Sequence, residues 1–138
     1  MSFREKSAWI TLVSVLVCFG IYFAELVVNQ GHIGPLKSLH LLLLSVIALV
    51  ALQVVLTLIA AKTTPKDGRA RADERERLIQ LRSHTLGYYV LMVLALALFV
   101  PVHFGHSALD MANFALLAVV TATLTVAVAQ IVMFRRGL

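Results

Sequence analysis

The sequence contains one cysteine, three prolines and few charged residues. Its single cysteine, Cys18, excludes an intramolecular disulfide and a cysteine-rich metal site. Charged residues make up 14% of the 138 positions, whereas hydrophobic residues make up 60%. With a mean hydropathy of +0.91, the chain is too apolar to fold as one small water-soluble domain. The composition therefore predicts a membrane protein.

The sequence also lacks the short motifs that mark common catalytic sites. It has no His-Glu-x-x-His pair, no Gly-x-Ser-x-Gly turn, no glycine-rich phosphate-binding loop and no paired cysteines. His106, Ser107 and Asp110 are close in sequence, but a short exposed connection does not easily hold the geometry of a catalytic triad. No DNA-reading motif is present. We expect neither enzymatic activity nor direct binding of nucleic acid.

Four apolar segments are long enough to cross a membrane. A helix needs roughly 20 apolar residues to span a hydrocarbon core of about 30 Å. Segments of about this length without Lys, Arg or Asp run over 8–28, 39–61, 84–102 and 112–133. Because backbone groups in lipid must be satisfied within the segment, each should be a helix. The sequence predicts an all-α fold, a four-helix transmembrane bundle of two helical hairpins, forming one integral membrane domain over 1–138.

Basic residues are distributed unevenly among the connections between these spans. Of the 12 Lys and Arg residues, only Lys37 lies in a connection between spans one and two or three and four. The others precede the first span, follow the fourth, or lie in loop 62–83: Arg4, Lys6, Lys62, Lys66, Arg69, Arg71, Arg75, Arg77, Arg82, Arg135 and Arg136. Basic flanks normally stay on the cytoplasmic side, so we expect both termini and this loop to be cytoplasmic.

Loop 62–83 combines a predicted helix start with a cluster of charges. Asp73, followed by Glu76 three residues later, is an Asp version of a capping box and predicts a helix that begins near Asp73 and runs into the third span. Excess positive charge suits contact with anionic lipid headgroups. A docking surface for a cytoplasmic protein is the alternative. The residues proposed for either contact are Arg69, Arg71, Arg75, Glu76 and Arg77.

The run ADERERLIQLRSHTLGYYVL (72–91), the start REKSAWI (4–10) and the spacing of the spans resemble a family of small bacterial integral membrane proteins classed as a domain of unknown function. In that family a DER-type segment leads into the third span, and some members are encoded beside small helix-turn-helix regulators. The resemblance covers most of the chain. It implies a multi-pass protein of the bacterial cytoplasmic (inner) membrane with a cytoplasmic regulatory partner, and it implies no catalytic residues.

Histidines and carboxylates gather near the predicted outer surface, most densely in HFGHSALD (103–110). A carboxylate inside the membrane is costly unless it is paired, and Glu25 lies one turn inside the outer end of its span. These side chains suit zinc or a related divalent metal, and histidine changes charge near physiological pH. The candidate residues are Glu25, His32, His40, His103, His106 and Asp110. A metal site, a proton-responsive site and a polar cap without a ligand are the three interpretations.

Small residues form a stripe along the fourth span, where close approach of backbones stabilises helix pairs in lipid. We expect this stripe to pack at the centre of the bundle or in a homodimer: Ala115, Ala118, Ala122, Thr125 and Ala129. The two hairpins also align without gaps at an offset of 71 residues, which pairs Arg4-Glu5 with Arg75-Glu76. The identity between the two halves is low. In a sequence so rich in apolar residues, either duplication or chance would explain the alignment.

Two functions are compatible with these patterns. The first is a small accessory or regulatory membrane protein that acts through a cytoplasmic partner, with the outer His/Glu group as its input. The second is a minimal dimeric transporter or channel for ions, protons or divalent metal that uses Glu25. A transporter of this size normally needs an ionisable group near the middle of the membrane and a helix broken there. The sequence favours the first function, because Glu25 lies toward one end.

Overall fold

The structure is a computed structural model that describes residues 3–29, 34–63 and 73–136. All regular secondary structure in these ranges is helical, which confirms the predicted all-α class. The helices are α1 (Phe3–Val28), α2 (Pro35–Thr63), α3 (Glu74–Ala97), α4 (Phe99–His103) and α5 (Ala108–Arg136).

The four predicted spans correspond to four long apolar stretches of helix. These are Phe3–Val28, Pro35–Thr63, Glu74–His103 and Ala108–Arg136, and each is long and apolar enough to cross a membrane. Each helix contains its predicted segment and extends beyond it, because the prediction marked only the apolar part. The four helices are compatible with a four-helix bundle. The chain forms two compact units, 1–71 and 72–138.

In the first unit, α1 and α2 pack together as a hairpin. Tyr22 is its largest fully buried side chain, with 1% of its surface exposed, and its hydroxyl lies 3.4 Å from that of buried Ser38. The buried residues Ser14, Cys18 and Tyr22 follow one another at intervals of one helical turn on α1. Ser14 is fully buried, and its hydroxyl has no hydrogen-bond partner among the described residues.

In the second unit, α3 and α5 pack through small residues. Ser83 and Gly87 are buried on α3, and Ala118 and Ala122 are buried on α5. A Cβ placed on Gly87 would collide with Cγ2 of Val126 and lie 3.4 Å from the carbonyl oxygen of Ala122. Two pairs of small residues spaced by four thus bring the helix backbones close together, as is common in membranes.

The third span is interrupted near its C-terminal end. α3 ends at Ala97, Leu98 forms a turn, and α4 follows from Phe99 to His103. Pro101 accounts for this break, because proline has no N–H to donate to the carbonyl of Ala97 and its ring crowds that turn. The break therefore lies toward one end of the span and not at its middle.

The predicted helix start at Asp73 is confirmed. Asp73 is the N-cap of α3, and its side chain accepts a hydrogen bond of 2.8 Å from the backbone N–H of Glu74. Glu74 and Glu76 lie in the first turn, where negative charge is favourable beside the helix dipole. The capping chemistry is local, which is why the sequence alone located it.

Candidate functional site

The HFGHSALD stretch contains a helix end and a helix start in direct succession. α4 ends at His103, and Gly105 adopts a φ of +77°, a left-handed conformation that glycine takes without steric cost. The N–H of Gly105 donates to the carbonyl of Val102 (3.1 Å), and that of His106 donates to the carbonyl of Pro101 (3.3 Å). This pair of bonds is a Schellman motif with glycine at its left-handed position.

The next helix is capped by the residues that follow. Ser107 precedes α5, and its hydroxyl donates to the Asp110 carboxylate at 2.7 Å while accepting the N–H of Asp110 at 3.2 Å. The same carboxylate accepts the backbone N–H of Ser107 at 3.1 Å. These reciprocal bonds form a capping box. The S-x-x-D pattern was visible in the sequence but was not predicted as a cap.

The two histidines of the stretch contact aromatic rings. The His103 ring lies 6.5 Å from that of Phe104, and the His106 ring lies 5.6 Å from that of Phe114, both edge to face. His103 and His106 are three residues apart, a spacing that would place them on one face of a continuous helix. The left-handed Gly105 lies between them, and α4 ends at His103. His106 Nδ1 lies 3.9 Å from the Asp110 carboxylate, with both side chains nearly half exposed.

The Asp110 carboxylate titrates well outside the physiological range. Asp110 precedes the apolar stretch 112–133 and so lies outside the hydrocarbon segment. Hydrogen bonds from the Ser107 hydroxyl and backbone N–H, with a smaller contribution from His106, lower the pKa of Asp110 below its ordinary value of 3.8. A lowered pKa means that the charged carboxylate stabilises the folded state above pH 3.8 and stops doing so only as the pH falls through the folded-state pKa.

Replacing Ser107 with alanine is expected to loosen the first turn of α5. The change removes the hydroxyl that accepts the N–H of Asp110, and loss of such a cap costs about 1 kcal/mol. Amide hydrogen exchange at Asp110 and Met111, whose N–H groups bond the hydroxyl and carbonyl of Ser107, should become faster by roughly fivefold at neutral pH. In the parent protein, the same amides should stay protected from pH 8 to pH 4 and lose protection only below about pH 3.8.

Thr121→Ala is the matched control, because the Thr121 hydroxyl donates only to the carbonyl of Leu117 within the same helix. It should leave exchange at Asp110 and Met111 unchanged. Protection that already disappeared near pH 6 would contradict the assignment of Asp110 as the capping group and would point to a histidine.

Glu25 lies near the C-terminal end of α1 and is exposed on its hairpin. The amide of Asn29 donates to the Glu25 carboxylate at 3.3 Å and to its backbone carbonyl at 2.7 Å. The sequence grouped Glu25 with His32, His103 and His106 in one candidate site. Among the described residues, Asn29 is the side chain that bonds Glu25. Glu25 and Asn29 are one helical turn apart, and their hydrogen bonds form a polar C-terminal end to α1.

The remaining candidates for a metal site are dispersed or lie outside the described residues. His40 is exposed on α2, and His32 falls in the range 30–33, which the structure does not describe. Within 3–29, 34–63 and 73–136, no three His, Cys, Asp or Glu side chains are grouped so that they could hold a metal ion. The geometry here therefore supports a capped turn and adds no support for zinc.

The charged segment at the start of α3 is well defined. Arg75 and Arg77 are exposed, Glu76 is half-buried, and Ile79 is buried against the hairpin. Arg69 and Arg71 lie outside the described residues. Leu78 and Leu81 are both exposed. The N-terminal part of α3 thus presents arginines and leucines together on its surface.

The small-residue stripe of the fourth span lies partly in the hairpin interior. Ala118 and Ala122 are buried, and Ala115, Thr125 and Ala129 are half-buried. The stripe therefore contributes to packing within one hairpin. Its partner residues on α3, Ser83 and Gly87, were not identified from the sequence, although their spacing of four is the signal that would have found them.

An apolar groove of about 480 Å³ lies beside the break in the third span. Leu94, Pro101, Phe114 and Leu117 are among its lining residues, and Thr121 is the only lining residue with a polar side chain. The Thr121 hydroxyl already donates to Leu117 within α5. The groove therefore offers no free polar group that would orient a polar ligand.

These observations define the class of protein. Large apolar side chains are exposed along all four long helices, and on α2 only Ser38 and Ala60 are buried. Surfaces of this kind are stable only in lipid or against another apolar surface. The chain is a multi-pass membrane protein built from two helical hairpins. No family model, curated protein or solved structure matches it.

Proposed function

We propose that this protein is a small non-catalytic subunit of the bacterial cytoplasmic membrane that regulates or assists a cytoplasmic partner. The partner binds the N-terminal turns of α3, where Arg75, Glu76 and Arg77 lie. The observation that carries the proposal is that the helical stretch of the third span is longer than its apolar part, so that its charged end extends beyond the hydrocarbon.

The stretch Glu74–His103 has 30 residues, which corresponds to about 45 Å of helix. A hydrocarbon core of about 30 Å leaves roughly 15 Å beyond it. The surplus lies at the N-terminal end, because the charges of α3 are confined to 74–82. A capped, charged helix end that extends from the membrane is a rigid surface for a protein in the adjoining compartment.

The side chains at this end of α3 favour binding of a protein over a purely electrostatic contact with lipid headgroups. Acidic and basic side chains alternate over Glu74–Arg77, and exposed Leu78 and Leu81 follow them. A mixture of charge pairs and apolar anchors is typical of a specific protein interface. The resemblance to bacterial proteins encoded beside small regulators supports a cytoplasmic regulatory protein as the partner.

Two groups of polar residues, the turn between α4 and α5 and Glu25 on the first hairpin, support a non-catalytic role. The residues that crowd together in HFGHSALD are engaged in ending one helix and starting the next, and Glu25 is bonded by Asn29. Neither group is positioned at the middle of a broken helix, as coupling residues of transporters usually are. The turn can still act as an input, since His106 lies beside Asp110 and is accessible.

Changing Arg75, Glu76 and Arg77 together to alanine is expected to abolish binding of the cytoplasmic partner while leaving membrane insertion intact. The three side chains lie outside the apolar part of the span, and five basic residues remain in loop 62–83 to keep the orientation of the spans: Lys62, Lys66, Arg69, Arg71 and Arg82. The measurement is co-purification from gently solubilised membranes, together with a photo-cross-linking residue placed at position 77 in living cells.

The matched control is the double change Arg135→Ala, Arg136→Ala, which removes charge from the last turn of α5. The control should retain the partner. A partner that is still recovered with the triple variant, or cross-links equally from Val93 within the apolar part of α3, would refute the proposal.

A further inference from the structure

The surface of α3 that faces away from its hairpin has a defined order of side chains. Ile79, Ser83 and Gly87 are the buried residues of α3. At about 100° per residue, they occupy one side of the helix. Leu78, Arg82 and Tyr89 lie on another side, at intervals of four and seven residues. All three are exposed, Tyr89 by 55%.

A second stripe runs beside the first and has the same spacing, with its arginine before its leucine. It contains Arg77, Leu81 and Tyr88, again at intervals of four and seven residues and again exposed. The rings of Tyr88 and Tyr89 are 5.8 Å apart and meet edge to face. Each stripe therefore passes from arginine to tyrosine, and the two tyrosines form one aromatic pair at the same level of the helix.

Beyond the tyrosines the same surface is wholly apolar. Met92, Val93 and Leu96 are exposed there, and no acidic residue occurs in α3 after Glu76. Neither Arg77 nor Arg82 lies within salt-bridge distance of a carboxylate among the described residues. The face thus combines positive charge without a counter-ion, an aromatic pair and a long apolar surface.

The distance along α3 from Arg82 to the tyrosines is comparable with the depth of the headgroup layer of one leaflet. Seven residues separate Arg82 from Tyr89, which is about 10 Å along the helix. The headgroup layer on each side of a bilayer is about 5–8 Å thick, and an arginine side chain reaches across the remainder. Tyrosines collect at the boundary between headgroups and hydrocarbon. The core of about 30 Å begins near residue 84, so the Cα atoms of Tyr88 and Tyr89 lie about one helical turn inside it. Side chains of a helix tilt toward its N-terminus, which brings the two tyrosine hydroxyls to the boundary and lets Arg82 reach phosphate level.

We propose that Arg82 binds the phosphate of an anionic phospholipid whose glycerol and upper acyl chains lie over Tyr88 and Tyr89. The guanidinium donates two parallel hydrogen bonds to phosphate oxygens. Charge complementarity selects an anionic lipid over a zwitterionic one. This inference does not depend on the cytoplasmic partner, because Arg82, Tyr88 and Tyr89 follow the surface from Arg75 to Leu81 that the partner binds.

The test uses tryptophan fluorescence in the full chain. Tyr89→Trp in a Trp9→Phe background leaves a single tryptophan on this face, since the protein has only one. The protein is reconstituted in vesicles of phosphatidylcholine and phosphatidylglycerol, with bromine on the acyl chains of one lipid or the other. Quenching by each brominated lipid gives the relative affinity of the two lipids at the tryptophan. We expect a preference of about fivefold for phosphatidylglycerol.

Arg82→Gln should reduce this preference to near one, whereas Arg136→Gln should leave it unchanged. Both changes remove one exposed positive charge from the same end of the hairpin, so the comparison separates a local site from general attraction to a basic surface. A preference near one in the Tyr89→Trp, Trp9→Phe protein with Arg82 intact would overturn the proposal. An equal fall in the preference in the Arg82→Gln and Arg136→Gln variants would also overturn it. Circular dichroism of each variant confirms that the helices are retained.

Discussion

Replacing Gly87 with leucine is expected to lower the free energy of unfolding by about 3 kcal/mol and to separate α3 from α5. Gly87 lies at a close contact between the two helices. Even a single added carbon would collide with Val126 and touch the backbone carbonyl of Ala122. A valine side chain in a helix has one strongly preferred rotamer and cannot easily turn away, and the backbone of Ala122 cannot move without shifting α5.

Titration with SDS in mixed micelles measures the free energy of unfolding. Gly20→Leu is the matched control, because a Cβ on Gly20 has no atom within 4 Å. That change should stabilise α1 by up to about 1 kcal/mol, since glycine is a poor helix former. In a Gly87→Ala background, Val126→Ala should restore part of the lost stability. Equal effects of Gly87→Leu and Gly20→Leu would disprove the close approach of α3 and α5.

Tyr22→Ala is expected to destabilise the first hairpin by about 3 kcal/mol. Tyr22 is only 1% exposed and fills the space between α1 and α2. In lipid, the loss comes mainly from missing van der Waals contacts around the cavity, because apolar surface gains little from being buried away from hydrocarbon. The same titration with SDS measures the effect.

Two further variants divide this effect into its parts. Tyr22→Phe keeps the ring and removes the hydroxyl that lies 3.4 Å from that of Ser38, and it should cost about 0.6 kcal/mol, a typical value for hydrogen bonds between membrane helices. Tyr88→Ala removes a tyrosine that is 62% exposed and should change stability by less than about 0.5 kcal/mol. A loss for Tyr22→Phe as large as that for Tyr22→Ala would show that the hydroxyl, and not packing, holds the hairpin together.

The positions of the helices were largely predictable, whereas their contacts were not. The start of α3 at Asp73 followed from local capping chemistry, and the apolar runs located all four spans. The Schellman motif at Gly105 and the capping box of Ser107 and Asp110 depend equally on neighbouring residues. Both motifs could therefore have been predicted from the sequence. The sequence analysis instead interpreted HFGHSALD as a possible metal or proton site because of its histidines.

The candidate ligands were harder to predict. The sequence grouped Glu25 with histidines that are distant along the chain, but the structure shows Asn29, one turn away, as the side chain that bonds it. The side chain of Asp110 serves the cap of its own helix. A polar residue near a helix end is usually satisfied locally, because the unpaired backbone groups and polar side chains there are close together. Composition alone does not separate that role from ligand binding.

By itself, the sequence determined that this protein is helical, crosses a membrane four times and has its charge concentrated around loop 62–83. Long apolar runs leave the backbone no alternative to helix in lipid. Only the tertiary structure decided which face of each helix is buried. In a water-soluble helix, polar and apolar faces reveal the packing side, but here both the lipid and the neighbouring helix are apolar. The close approach at Gly87, the burial of Tyr22 and the outward arginine–tyrosine face of α3 depend on shape, which only the packed hairpins show.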